Sequence, residues 1–104
     1  MKALVKTGYG PGHLELLEVE KPRPGDDEVL IQVKSAAICG SDIERYTGHN
    51  VIYKPPVTLG HEISGVVDEL GRNVRGVTVG DRVAVEANVY ACGRCTYCRS
   101  GNEN

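Results

Sequence analysis

Three residue types that bind transition metals stand on either side of the chain's midpoint. Cys39 brings a thiol, His61 an imidazole and Glu62 a carboxylate. Zinc accepts all three ligand types, and a catalytic zinc takes three protein ligands and keeps a fourth position open. An ion held this way would keep Cys39 as thiolate and lower the pKa of a bound water or alcohol towards about 7. Two neighbours of Cys39 in "ICGSD" suit supporting roles. The Ser41 hydroxyl could relay a proton between the bound oxygen and solvent. The Asp42 carboxylate could accept from the free imidazole nitrogen and fix its tautomer. A second cluster, Cys92, Cys95 and Cys98 in "CGRCTYC", points three sulfurs at one centre.

Each residue also has an ordinary reading. A cysteine at a strand end is more often a small buried hydrophobe than a ligand. A His-Glu pair in a loop is usually solvated. Asp42 or Ser41 could simply cap a helical turn. Spacing alone leaves both readings open.

The elements that must position these residues are mostly strands. "KALVK" alternates, with Ala3 and Val5 on one face and Lys2, Leu4 and Lys6 on the other. After the "GYGPG" turn, Leu14 to Val19 reads as a second, antiparallel strand. "KPRPGDD" is a loop, because its prolines cannot sit in a central strand. Glu28 to Ile38 is the strongest strand signal, and Cys39 follows it directly. Ser41 or Asp42 caps a short helical turn through Tyr46, ended by Gly48. "YKPPVT" is extended and loop-like. "ISGVVDEL" and "RVAVEANV" are further strands separated by Gly-containing turns. Beyond Ala91 the chain is a Cys-rich loop without apolar period. Short strands at regular intervals with little helix predict a barrel or sandwich.

The 104 residues suffice for one small domain. With no Phe or Trp, the core must be built from Val, Ile, Leu, Ala and a few Tyr. A net charge of −2 without a basic stripe argues against nucleic-acid and anionic-membrane partners. No apolar stretch is long enough for a signal peptide or a membrane span. The expected compartment is the cytoplasm, where four cysteines are better explained by metal than by disulfides. The terminal "RSGNEN" reads as the middle of a loop, so a longer parent protein is expected.

The longer pattern "GHEISGVVDELGRNV" resembles the zinc-containing alcohol dehydrogenase signature of the medium-chain dehydrogenase/reductase family, with Gly60, His61, Glu62, Gly65, Gly71 and Val74 in place. "CGSD" is similar to that family's first zinc-ligand motif, "GDRVAVE" to the strand after the signature, and "CGRCTYC" to its structural-zinc lobe. The resemblance covers essentially the whole chain. It implies a mostly β, GroES-like β-barrel with a short helical turn and a Cys-rich zinc lobe, residues 1–104 forming the N-terminal part of a catalytic domain whose Rossmann partner lies elsewhere. It implies that Cys39 and His61 are catalytic zinc ligands, with Glu62 a ligand or close neighbour. Ser41 matches the hydroxyl that takes the substrate proton, Asp42 the carboxylate behind the ligand histidine, and Cys92, Cys95 and Cys98 three of four structural zinc ligands.

The implied activity is hydride transfer from a secondary alcohol or polyol to NAD or NADP in a full-length, homo-oligomeric parent, with the fragment alone inactive. The forms of "ICGSD" and "PPVTLGHEISGVV" look most like polyol dehydrogenases of the sorbitol or butanediol type, then threonine dehydrogenase. Three departures stand out. The fourth structural cysteine is expected just past Asn104. No Gly-x-Gly-x-x-Gly is present. Glu44 replaces the relay histidine of classical alcohol dehydrogenases, and nearby His49 reads as a solvated loop residue. Tyr46, Lys54, Pro55 and Pro56 are candidates for the wall of the substrate cleft. Competing readings are a non-catalytic zinc-binding GroES-like module, the zinc-free quinone-reductase branch, and a redox Cys-x-x-Cys.

Overall fold

The computed structural model describes residues 1–49, 52–86 and 92–101. Their order is β1 (Lys2–Lys6), β2 (Leu14–Glu18), β3 (Val29–Ala37), α1 (Gly40–Thr47), β4 (Val57–Thr58), β5 (Glu62–Leu70), β6 (Arg82–Ala84) and α2 (Thr96–Arg99). The strands form two antiparallel three-stranded sheets, β2-β1-β4 and β3-β5-β6. This is the mostly β, GroES-like architecture anticipated, but the sheets do not close into a barrel among the described residues. Closure needs paired edges, and β2, β4, β3 and β6 each keep one edge without a strand neighbour there.

The long β3–β5 pair forms because Val29, Ile31 and Val33 face Leu70, Val67 and Gly65 across the ladder. Its register shifts between Val33 and Ser35, next to Gly65. A Cβ at Gly65 would overlap the Gln32 carbonyl oxygen and come within 2.7 Å of Ile31 Cγ2. The signature glycine therefore lets two backbones approach where the strands adjust. The ladder ends at Ala37↔Glu62, which brings the chain before Cys39 beside the chain after His61.

Three expectations are corrected. Val57 and Thr58, read as loop, pair with Lys6 and Val5 as β4; two residues after a proline pair are too few to show a period. The Cys-rich segment contains the one-turn helix α2. Lys6, placed with Lys2 and Leu4 on the face of β1 opposite Ala3 and Val5, is fully buried, while Ala3, Val5 and Val67 are the buried core residues. The "GYGPG" turn folds back over Lys6 and gives its ammonium the carbonyls of Gly10 and Gly12, partners a buried charge requires. The last part of the strand predicted at "RVAVEANV" and the end of "SGNEN" lie outside the described residues.

Much apolar surface stays open. Ile38 is 81% exposed, Leu16 66% and Val33 49%. The accessible surface of 7942 Å² exceeds the roughly 5,700 Å² of a compact monomer of this mass. The radius of gyration is 15.5 Å, against about 13 Å for a compact domain of this length.

Candidate metal centre

Helix α1 begins where β3 ends, and its first turn carries the site. Cys39 is its N-cap, with extended backbone at φ −84° and ψ 159°. The cap expected at Ser41 or Asp42 is thus shifted. Asp42 serves it from within the helix, its Oδ2 accepting the Cys39 N–H at 2.9 Å. That bond satisfies a donor the helix start leaves free and puts a negative charge at its positive end. Gly48, at φ 81°, ends the helix. Gly60, at φ 101°, makes the turn that delivers His61 and Glu62 to the start of β5.

These turns bring together the residues singled out in the sequence. Cys39 Sγ, a His61 ring nitrogen and a Glu62 carboxylate oxygen lie within 4.8 Å of one another. Tetrahedral zinc sets ligand atoms about 3.3–3.8 Å apart, so modest side-chain movement would close this set on an ion. Ser41 Oγ lies 3.3 Å from His61 Nε2. Asp42 Oδ1 lies 3.8 Å from His61 Nδ1, beyond hydrogen-bond reach. An open groove of ≈ 490 Å³ runs along the same end of the β3–β5 pair, lined by Ser35, Ala36, Ala37, His61, Glu62, Ile63, Ser64 and Val85.

The second cluster is compact as well. Cys95 Sγ is 3.5 Å and Cys92 Sγ 3.8 Å from Cys98 Sγ, close to the sulfur–sulfur edge of about 3.8 Å in a four-thiolate zinc site. Backbone N–H groups of Arg94, then of Cys95, pull the Cys92 thiol down to about 7, a thiolate-prone ligand. The Cys98 thiol is pushed up, chiefly by its contact with Cys95. No fourth ligand stands with them among the described residues.

One site residue was missed in the sequence. Arg45 NH1 lies 3.4 Å from both Ser41 Oγ and Asp42 Oδ1. Its spacing of four from Ser41 and three from Asp42 puts it on their helix face, a signal that was available. Glu44 and Tyr46, by contrast, are exposed. His49 is exposed too, with Nδ1 2.8 Å from Thr47 Oγ1.

A mostly β structure with a Cys-His-Glu cluster at a strand end and a separate three-cysteine lobe defines a class. The chain belongs to the alcohol dehydrogenase GroES-like domain family, whose model matches residues 25–104. It is 52% identical over 104 residues to the sorbitol dehydrogenase of Halalkalibacterium halodurans, covering all of this chain and 30% of that protein. Its structure is similar to a cobalt- and zinc-bound thermostable alcohol dehydrogenase from Pyrobaculum aerophilum, with TM-score 0.88 and 40% identity over 99% of this chain and 31% of that one. It is also similar to a short chain alcohol dehydrogenase from E. coli complexed with NADH, with TM-score 0.82 and 43% identity over 99% of this chain and 29% of that one. The chain spans about 30% of the length of the curated relatives it matches.

Proposed function

We propose that this chain is the N-terminal, zinc- and substrate-binding part of a dehydrogenase that oxidises secondary alcohols or polyols with NAD or NADP. The observation that carries the reading is the convergence of Cys39, His61 and Glu62 within 4.8 Å, with the Ser41 hydroxyl against the His61 ring. Similarity to a sorbitol dehydrogenase and to zinc- and NADH-bound alcohol dehydrogenases supports the reaction class.

Cys39, His61 and Glu62 would hold the catalytic zinc; Cys92, Cys95 and Cys98 would supply three ligands of a structural one. The bound ion would supply Lewis acidity that acidifies the substrate hydroxyl. The chain's own residues then have defined tasks. Ser41 accepts the hydroxyl proton at Oγ and passes it outward. Asp42 holds the first turn of α1 through the Cys39 N–H and keeps negative charge facing His61. The groove lined by His61 and Glu62 gives the substrate room beside two of the proposed ligands. The nicotinamide cofactor takes the hydride and is held by a domain outside this chain. The parent is proposed to be cytoplasmic and homo-oligomeric. No helix among the described residues is long and apolar enough to cross a membrane.

The test is nicotinamide reduction by the parent protein, with a panel of secondary alcohols and polyols and both cofactors. Activity that a chelator abolishes and zinc restores is the expected result. Turnover indifferent to chelation, or none with any alcohol, contradicts the reading.

A further inference from the structure

The arginine on the site's helix face points to the substrate class. Arg45 is 25% exposed at its side chain, and its only ion pair among the described residues is with Asp42. That pair uses one nitrogen at 3.4 Å, whereas a committed bidentate arginine–carboxylate pair closes to about 2.7–2.9 Å. Asp42 is itself divided: Oδ2 is taken by the Cys39 N–H at 2.9 Å, and Oδ1 also faces His61. Among the described residues, Nε and the second terminal nitrogen of Arg45 make no hydrogen bond or ion pair. A guanidinium offers five donors in a fixed fork suited to carboxylate and phosphate, so most of this one's capacity is unspent.

Its position gives that capacity a target. Arg45 NH1 is 3.4 Å from Ser41 Oγ. A substrate hydroxyl hydrogen-bonded to Ser41 would lie about 2.7 Å from that oxygen. The reacting oxygen therefore falls within roughly 6 Å of the guanidinium, a gap that an anionic group one or two carbons from the reacting carbon can fill. A neutral polyol offers only hydroxyls there and gains less from a charged donor.

We propose that Arg45 is a specificity-determining residue that selects secondary alcohols bearing an anionic group, carboxylate or phosphate, close to the reacting carbon. This rests on the zinc-site reading above and names the substrate class for the same site.

The test is equilibrium binding to cobalt-loaded protein, read from the metal's d–d absorption and independent of turnover. Two matched pairs separate the anion sources: 3-hydroxybutyrate against 1,3-butanediol for carboxylate, and sorbitol 6-phosphate against sorbitol for phosphate. A charge-assisted hydrogen bond corresponds to about 10- to 100-fold in affinity. At least one anionic ligand is therefore expected to bind tenfold or more tightly than its neutral partner. Arg45→Gln should bring that ratio near one, and Arg45→Lys should restore part of it. Equal affinities within both pairs, or no spectral response to any ligand, overturn the proposal. So does an Arg45→Gln protein that melts lower yet keeps the wild-type ratio, since Arg45 would then serve only to hold Asp42. Failure of the underlying reading appears separately, as absent cobalt bands or their survival unchanged in Cys39→Ser.

Discussion

Replacing Asp42 by Ala tests how the first turn of α1 is held. The carboxylate accepts the Cys39 N–H at 2.9 Å; loss of such a cap costs about 1 kcal/mol. Its charge at the positive end of the helix adds about 0.3–1 kcal/mol. The Arg45 pair, long at 3.4 Å and 25% exposed on the arginine side, adds at most about 0.5 kcal/mol after screening. The expected loss is about 1.5–2.5 kcal/mol, or roughly 10 °C in Tm for a domain of this size. Asp42→Asn keeps an acceptor oxygen and drops only the charge, so it should lose about 0.5–1 kcal/mol. Urea unfolding of metal-free protein, with chelator present, gives both values without a contribution from bound metal. A loss below about 0.5 kcal/mol for Asp42→Ala would refute the capping account. Equal losses in the two variants would refute the split between hydrogen bond and charge.

Other substitutions probe the frame and the lobe. Gly65→Ala should cost about 1–3 kcal/mol in urea unfolding, because the new methyl meets the Gln32 carbonyl and Ile31; a neutral effect would mean the strands do not approach as described. Lys6→Met strips the buried donor from the Gly10 and Gly12 carbonyls and should cost about 1–3 kcal/mol, whereas a more stable variant would show that burying the charge costs more than its bonds return. In metal-free protein Cys92 should be alkylated before Cys98 across a midpoint near pH 7, since its thiol sits at about 7 and that of Cys98 is raised; peptide mass mapping that finds Cys98 modified first contradicts this. The sign for stability follows. A thiol lowered from 9.0 to about 7 stabilises the metal-free fold fully only above its unfolded value, and that contribution is lost as pH falls through about 7.

What the sequence made legible was local or strictly patterned. The alternation in β1, the strand signal of β3 and the Gly48 stop of α1 were readable because period, β propensity and φ preference are properties of a few adjacent residues. The grouping of Cys39, His61 and Glu62 was named through the chemistry of their types and a family resemblance. What brings them together in space is the β3–β5 register, with Gly65 at its adjustment. The burial of Lys6 was not legible because strand alternation says nothing of how the next turn folds, and it is that turn's Gly10 and Gly12 carbonyls that take the ammonium. β4 was missed because two residues have no period. Arg45 was not singled out, although its three- and four-residue spacing to Asp42 and Ser41 was in plain view.

The central claim is a zinc held by Cys39, His61 and Glu62. The most direct measurement is zinc per chain, by elemental analysis of wild-type and Cys39→Ser protein purified without chelator and checked by intact mass. The account predicts that the variant loses one zinc per chain relative to wild type and keeps its β spectrum by circular dichroism. Equal zinc content in the two proteins, or none in either, would contradict it.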